Sequence, residues 1–261
     1  MRRACEITGE GHVAGMRATR SGMFEYEIEA IIEHAYRTRG ADYAYPSIVA
    51  AGDNATILHY NFNRDQLKGG ELLLVDSGAE FELYSSDVTR TWPINGRFTP
   101  EQRAIYEIVL AAQKAGIEQV RPGNPFAAYH EAAVNTIVDG LLDLGLLQGS
   151  RDENLEQRKY FDFYMHNSGH WLGLDTHDVG RYLDIDGETP RKLEPGMVLT
   201  VEPGIYVDRE LNCDERFKGI GVRIEDDILC TPSGPDNLSA GVPKEIDELE
   251  SVVGADALAP A

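Results

Sequence analysis

The sequence predicts a single α+β domain made of two related halves, and three observations lead to this prediction. First, residues 70–78 (GELLLVDSG) align without gaps on residues 196–204 (GMVLTVEPG). Second, residues 20–22 (RSG) and 121–123 (RPG) each precede the pattern of an amphipathic helix. Third, helical and strand-like patterns occur in both halves and no linker separates them. Chance similarity of two buried strands could explain either match alone, but their common order favours internal pseudo-symmetry.

The first third of the 261-residue chain predicts two helices and several strands. Apolar residues recur at helical spacing over residues 4–16, although three glycines weaken this pattern. The isoleucines of residues 28–35 are spaced as on one face of an amphipathic helix. Four β-type runs follow, at residues 47–51, 57–60, 71–76 and 87–92.

The rest of the chain predicts two longer helices, three strands and a short acidic helix. Thr99 and Pro100 suit the N-cap and first position of a helix that ends near residue 120. A second helix covers residues 125–144, where apolar residues stay in helical register. Strands are predicted at residues 197–201, 220–224 and 227–230, and a short helix at 244–250. We therefore expect one domain over residues 1–250 and a loose tail over residues 251–261.

Composition and charge argue against several classes of function. The 44 acidic residues against 24 Lys and Arg give a net charge of -20, which disfavours binding to nucleic acids or anionic membranes. No apolar run approaches the roughly 18 residues that a membrane span needs, and no signal peptide is recognisable. The three cysteines form no CxxC pair, so we expect neither disulfides nor a thiolate zinc site. These features favour a cytoplasmic protein.

Four acidic residues stand where strand patterns would not normally place buried charges. Asp76 and Glu202 occupy equivalent positions in the repeat, and each is followed by a strand candidate with a second acid, Asp87 or Glu225. Taken singly, an acid at the surface end of a strand would explain each one. Together they would meet across the pseudo-symmetry axis, where four carboxylates cannot stay ionised without cations. The pattern therefore favours a site for two divalent metals, with Mn²⁺ or Co²⁺ preferred over Zn²⁺.

Three of the seven histidines are concentrated in one short, glycine-containing segment. His166, His170 and His177 lie within HNSGHWLGLDTHDVG, and histidine is the commonest neutral metal ligand and proton shuttle. The HExxH motif of zincins, a nucleophile elbow and a phosphate-binding loop are absent from the sequence. We expect the isolated histidines to be structural or exposed: His12, His34 and His130.

Five segments in order carry a resemblance to a known family. They are TILHYNFN, VDSGAEFELYSSDVTRTW, HNSGHWLGLDTHDVG, LEPGMVLTVEPGIYV and GVRIEDDILCT. Over residues 3–250 the sequence resembles the pita-bread metallopeptidases, most closely their Xaa-Pro aminopeptidase (aminopeptidase P) branch. The resemblance implies two pseudo-symmetric α/β halves around a central antiparallel-rich sheet. Bacterial members carry an additional N-terminal domain, which we expect this chain to lack.

The resemblance also implies roles for individual residues. The implied metal ligands are Asp76, Asp87, His170, Glu202 and Glu225. Glu202 would in addition act as the general base, and later the proton donor, for a metal-bridging water that is acidified towards hydroxide. His177 would stabilise the oxyanion, and His59 would contact the substrate. His166, Tyr206 and Arg223 would line the pocket for the proline ring. As an alternative, Tyr206 and Arg223 could only support the acidic ligands.

The implied activity is metal-dependent removal of the first residue from peptides that have proline in second position. Two divalent ions, preferably Mn²⁺ with Co²⁺ or Zn²⁺ as alternatives, would be the cofactors, and proline-containing peptides the partners. The nearest rival is an Xaa-Pro dipeptidase (prolidase), which shares much of the histidine motif. A non-catalytic pita-bread module that binds peptides or proteins is the alternative from another class. A homo-oligomer remains open.

Overall fold

The structure, a computed structural model, describes residues 1–258. The described residues contain six α-helices: α1 (Arg2–Ala18), α2 (Glu25–Thr38), α3 (Pro100–Ile117), α4 (Ala128–Asp143), α5 (Arg151–Glu156) and α6 (Ile246–Val252). They also contain eleven strands: β1 (Asp42–Tyr43), β2 (Ile48–Ala51), β3 (Leu72–Asp76), β4 (Ala79–Phe81), β5 (Tyr84–Ser85), β6 (Thr89–Pro93), β7 (Val198–Val201), β8 (Gly204–Val207), β9 (Ile220–Arg223), β10 (Asp226–Thr231) and β11 (Gly234–Asn237). The predicted α+β class is confirmed.

All strand pairs in the described part are antiparallel and form four sheets, two of which match each other. In the first, β3 lies between β2 and β6, with Asp76 opposite Thr89. In the second, β7 lies between β10 and residues 168–172, whose backbone bonds to β7 through Thr200 N to His170 O (3.0 Å) and Glu202 N to Ser168 O (2.8 Å). Thus β3 and β7, the two copies of the sequence repeat, occupy equivalent positions.

Each half has its own pair of packed helices. In the first half α1 packs on α2, and in the second α3 packs on α4, as their amphipathic patterns require. The glycines of α1 allow this close packing, since a Cβ on Gly11 would lie 2.5 Å from the ring of Tyr36. The three glycines that weaken the helical pattern of the sequence therefore do not interrupt the helix. The prediction of two pseudo-symmetric halves is confirmed.

The halves meet where β6 lies beside β9 and the start of β10. The amide of Glu225 donates to the carbonyl of Thr89 (3.1 Å), and the Thr91 hydroxyl donates to the carbonyl of Arg223 (3.0 Å). Next to this contact, Arg90 of the first half forms a fully buried ion pair with Asp226 of the second (2.7 Å). These contacts fix the relative positions of the strand ends that carry the acidic residues.

Some predicted elements differ from the structure. Residues 57–60 are a turn after the 3₁₀ helix Gly52–Thr56, because buried Tyr60 packs as a single side chain rather than as part of a strand face. Strand β8 differs from the prediction too: it begins at Gly204, the equivalent of Gly78, which directly precedes β4 in the other half. Short α5 was also missed.

The prediction of a loose tail is wrong for the first residues after position 250. Residues 251 and 252 still belong to α6, Val253 is buried, and the amide of Gly254 donates to the carbonyl of Met16 (2.9 Å). Buried apolar surface thus holds this segment against α1. Residues 259–261 of the predicted tail lie outside the described residues.

Candidate active site

The four acidic residues come together because equivalent strand ends of the two halves face each other. Asp76 ends β3 and Glu202 follows β7, while Asp87 and Glu225 shortly precede β6 and β10. All four side chains line one cleft, with Asp87 and Glu225 buried and the other two partly buried. The repeat therefore brings one pair of carboxylates from each half to the same place.

His170 is positioned by its backbone and by its own ring. Its amide donates to the Thr200 hydroxyl (3.0 Å), and its Nδ1 lies 2.9 Å from the carbonyl of Trp171. Since a carbonyl only accepts, Nδ1 carries the proton, and Nε2 is directed at the acids. Nε2 lies 3.3 Å from Asp87 Oδ2 and 3.7 Å from Glu202 Oε1.

Burial and mutual repulsion shift the pKa values of the acids. Burial is the main cause that raises the pKa of Glu202 to about 7 and that of Glu225 well above its usual range, and Asp87 adds repulsion in both cases. Burial likewise raises the pKa of Asp76, although Arg223 opposes this effect. Burial alone would lower the pKa of His170, but Asp87 and Glu202 outweigh it and raise the value to about 9.

The donor set fits divalent cations. Ligand atoms of Asp87, His170 and Glu225 all lie within 4.8 Å of one another. Burying so many carboxylates side by side is costly without positive charge among them, which is what the raised pKa values express. Oxygen donors with one imidazole suit hard or borderline divalent ions.

Two further side chains, those of Arg223 and Tyr45, form hydrogen bonds to the acidic residues. Arg223 donates to Asp76 Oδ2 (2.7 Å) and, through Nε, to the Thr89 hydroxyl (3.1 Å), which itself donates to Glu225 Oε2 (2.6 Å). The hydroxyl of Tyr45 lies against both Asp76 (2.6 Å) and Asp87. Sequence reasoning missed Tyr45, because it lies in an irregular segment and belongs to none of the motifs that carry the resemblance.

A chain of hydrogen bonds links Arg223 to His166. Arg223 donates to the Tyr206 hydroxyl (3.1 Å), which lies 2.8 Å from His166 Nε2. Nδ1 of His166 faces the carbonyl of Asn167 (2.7 Å) and must be its donor, so Nε2 accepts the tyrosine proton. Burial and the nearby Arg223 lower the pKa of His166 to about 3, which keeps the ring neutral. Arg223 is thus hydrogen-bonded to the acidic Asp76, whereas the partners of the Tyr206 hydroxyl among the described residues are Arg223 and His166.

The remaining predicted residues lie on the walls of the same cleft. The exposed ring of His177 lies 4.3 Å from that of His170, and His59 lies on the turn of residues 57–60. Of the ten residues that the sequence analysis selects, all but Tyr206 line this cleft of about 630 Å³. His130 lines the cleft too, and its Nδ1 accepts from the Ser168 amide (3.2 Å). The sequence analysis did not predict a place in the cleft for this histidine. Other walls are apolar: Leu58, Phe126, Tyr129, Tyr182 and Leu183.

An antiparallel fold of two matching halves that presents a carboxylate and histidine cluster in a cleft is the arrangement expected of a metal-dependent peptidase. Residues 1–232 match the model of metallopeptidase family M24, and the chain belongs to this family. Among curated relatives, it is 49% identical to Xaa-Pro aminopeptidase of Haemophilus influenzae over 97% of the chain. It is 45% identical to Xaa-Pro aminopeptidase of Escherichia coli over 98%.

Solved structures give the same result. Aminopeptidase PepP of Pseudomonas aeruginosa has a TM-score of 0.96 at 49% identity and covers 98% of the chain. Aminopeptidase P of E. coli with the inhibitor Pro-Leu has a TM-score of 0.94 at 45% identity, again over 98%. The predicted pita-bread fold is confirmed. The chain spans 58% of the length of the Haemophilus relative and 57% of the E. coli one. None of the described helices is long and apolar enough to cross a membrane.

Proposed function

We propose that the chain is the catalytic part of an Xaa-Pro aminopeptidase, with one catalytic domain that extends beyond residue 250 through the end of α6. The observation that carries the proposal is the convergence of both carboxylate pairs, His170 and four further histidines on one cleft. The relatives at 45–49% identity are named for this activity, which supports the same substrate class. We expect the protein to act on peptides in the cytoplasm.

Five residues are proposed to hold two divalent ions: Asp76, Asp87, His170, Glu202 and Glu225. Mn²⁺ is our first choice and Co²⁺ or Zn²⁺ the alternatives, because the donors are mostly carboxylate oxygens. When bound, such ions supply an acidified water and polarise the scissile carbonyl. Tyr45 and Arg223 would keep the ligand oxygens oriented through the hydrogen bonds described above.

Glu202 is proposed to accept the proton of the attacking water and return it to the leaving amine. Its side chain is 17% exposed and faces the cleft, and its Oε2 lies 4.0 Å from His166 Nδ1. A carboxylate can do both steps only if a water reaches it, and this exposure allows that. Glu225 is less suited, because it is buried and accepts from Thr89.

Three histidines are proposed to contact the substrate. His177 lies beside His170 and is exposed, so its N–H can donate to the oxygen that becomes negative during attack. His59 approaches from the turn of residues 57–60. His166 is kept neutral and held by Tyr206, which makes it a fixed wall for the ring of a proline residue.

The test uses the full chain after treatment with a chelator. Hydrolysis of an Xaa-Pro-Yaa tripeptide is measured before and after addition of Mn²⁺, with an Xaa-Ala-Yaa tripeptide as control for proline preference. Turnover of the proline tripeptide that returns with metal is the expected result. An Xaa-Pro dipeptide as the only good substrate would mean a prolidase. Two bound metals without turnover of any of these peptides would favour the non-catalytic module.

A further inference from the structure

We propose that Glu25 is a positioning residue that holds the loop of residues 52–65 and thereby sets the place of His59 in the cleft. The role of His59 in this inference rests on the proposed function. Glu25 itself lies outside the cleft, at the first position of α2, and no feature of the sequence motifs involves it. Its carboxylate is completely buried.

Both carboxylate oxygens of Glu25 are used by the loop. Oε1 accepts from the amide of Ala51 (2.8 Å) and from Asn54 Nδ2 (3.0 Å). Oε2 accepts from the Tyr60 hydroxyl (2.8 Å) and from the amide of Asp65 (2.9 Å). The Glu25 side chain thus accepts hydrogen bonds from four points along the loop: just before it, in its 3₁₀ turn, directly after His59, and at its last residue.

The charge of Glu25 has no cationic partner within salt-bridge distance among the described residues. Its burial is compensated by four hydrogen bonds to a charged acceptor, which are stronger than neutral ones, and by the N-terminus of α2. Burial of a carboxylate is costly unless hydrogen bonds of this kind satisfy it, so loss of any donor is opposed and the donating groups stay in place. The groups it fixes are the flanks of the segment that carries His59.

The loop has two further anchors, one on each half of the fold. Asn63 accepts from the amide of Val49 (2.9 Å) and donates to the carbonyl of Ser47 (2.8 Å), which ties the loop to the first half. A Cβ on Gly221 would lie 2.2 Å from the carbonyl oxygen of Ala55, so the 3₁₀ turn packs directly on β9 of the second half. Strand β9 ends at Arg223, a residue of the candidate site.

Between the buried residues Ala55 and Tyr60, the loop has only a short segment with exposed side chains. Ile57 is 54% exposed and His59 is exposed, whereas Ala55 and Tyr60 on either side are buried. The position of His59 therefore depends on how firmly its two neighbouring anchors are held. Tyr60 is the nearer of them, and Glu25 is its only described hydrogen-bond acceptor.

The test compares Glu25→Gln with Glu27→Gln. Glu27 lies on the same first turn of α2, is exposed, and accepts from the amide of Phe24 (2.7 Å), so its substitution removes the same charge without touching the loop. Amide hydrogen exchange of residues 51–65, Mn²⁺ binding by calorimetry, and kcat and KM are measured for both. For Glu25→Gln we expect exchange of the Ala51 and Asp65 amides to become roughly tenfold faster. We expect unchanged metal stoichiometry and a lower kcat/KM.

The link to His59 is tested by combination. In a His59→Ala background, Glu25→Gln should cause no further loss of kcat/KM, because both changes act through the same group. An equal loss in both backgrounds, or an exchange change spread over the whole chain, would overturn the proposal. If Glu25→Gln does not fold, Tyr60→Phe removes one of the four bonds and should give a smaller change in the same amides.

Failure of the proposed function is separable from failure of this inference. Should the wild-type chain turn over no peptide, the proposed function fails, while exchange and the imidazole NMR signals of His59 still report on the loop. A His59 signal that shifts or broadens in Glu25→Gln and not in Glu27→Gln supports the positioning role. An unchanged signal with unchanged loop exchange refutes it.

Discussion

Replacing Asp226 with asparagine should destabilise the chain strongly, because Asp226 is the centre of a buried polar cluster between the halves. It is fully buried and accepts from Arg90 (2.7 Å), Gln113 (2.7 Å) and Ser239 (2.7 Å), and it also pairs with Lys244. Burial would raise its pKa, but Arg90 and Lys244 more than compensate and hold the pKa well below its usual range. Asparagine keeps the shape and removes the charge, which leaves Arg90 buried without a counter-ion.

The expected magnitude follows from that unpaired charge. Removing one partner of a buried ion pair costs about 3–5 kcal/mol. For a chain of this size each kcal/mol lowers the unfolding midpoint by roughly 2–4 °C, so a decrease of roughly 6–20 °C is expected. The matched control is Asp236→Asn, since Asp236 pairs with Arg2 on the surface, where such a pair contributes about 0–1 kcal/mol.

The assay is thermal and urea unfolding of the metal-free chain, followed by circular dichroism. Both variants and the wild type are compared at the same pH and protein concentration. A decrease for Asp226→Asn no larger than for Asp236→Asn would refute the reasoning that the interface depends on this charge. An Arg90→Met variant should be destabilised on the same scale, and its effect should not add to that of Asp226→Asn.

Three other predictions concern the site and its surroundings. Glu202→Gln should lower kcat by about 10²–10⁴-fold, whereas exposed Glu194→Gln on the turn before the same strand should leave it unchanged. Tyr45→Phe should weaken Mn²⁺ binding about 10–100-fold in calorimetry, and normal affinity would mean that the acids need no such support. Burial lowers the pKa of His12 to about 4, so the folded state prefers the neutral ring. The contribution of His12 to the free energy of unfolding is therefore fully present above pH 6.5 and decreases towards pH 4, by up to about 3 kcal/mol. In urea titrations, His12→Gln should lose this part of the acid sensitivity, whereas exposed His34→Gln should keep it.

The parts of the fold that could be predicted are those in which one pattern decides the structure. The repeat that contains Asp76 and Glu202 predicts two equivalent strands. The reason is that the same apolar run occurs twice and ends in an acid each time, which is typical of strands that lead into one site. Thr99 and Pro100 predicted the start of α3, and the Thr99 hydroxyl does accept from the Gln102 amide (3.3 Å). Local chemistry and tertiary structure agree at these places.

The parts that could not be predicted depend on contacts distant in sequence. The run of residues 57–60 has the composition of a strand, but Glu25 and the surface of β9 hold it as a turn. Tyr45 joins the site only because β2 and β3 bring its loop beside Asp76. Val253 is buried against a helix at the other end of the chain. Hydrophobic periodicity relates only residues that are close in sequence, so it cannot identify these partners.

The division of the acids between the two halves has a consequence for synthesis of the protein. A growing chain presents Asp76 and Asp87 long before Glu202 and Glu225 exist, and a lone pair of acids is a weak and unselective ligand for divalent ions. The full donor set requires contacts between residues more than a hundred positions apart, and contacts of this kind form late. Metal loading should therefore be one of the last events in maturation, and ions in the medium should accelerate neither collapse nor the first helices.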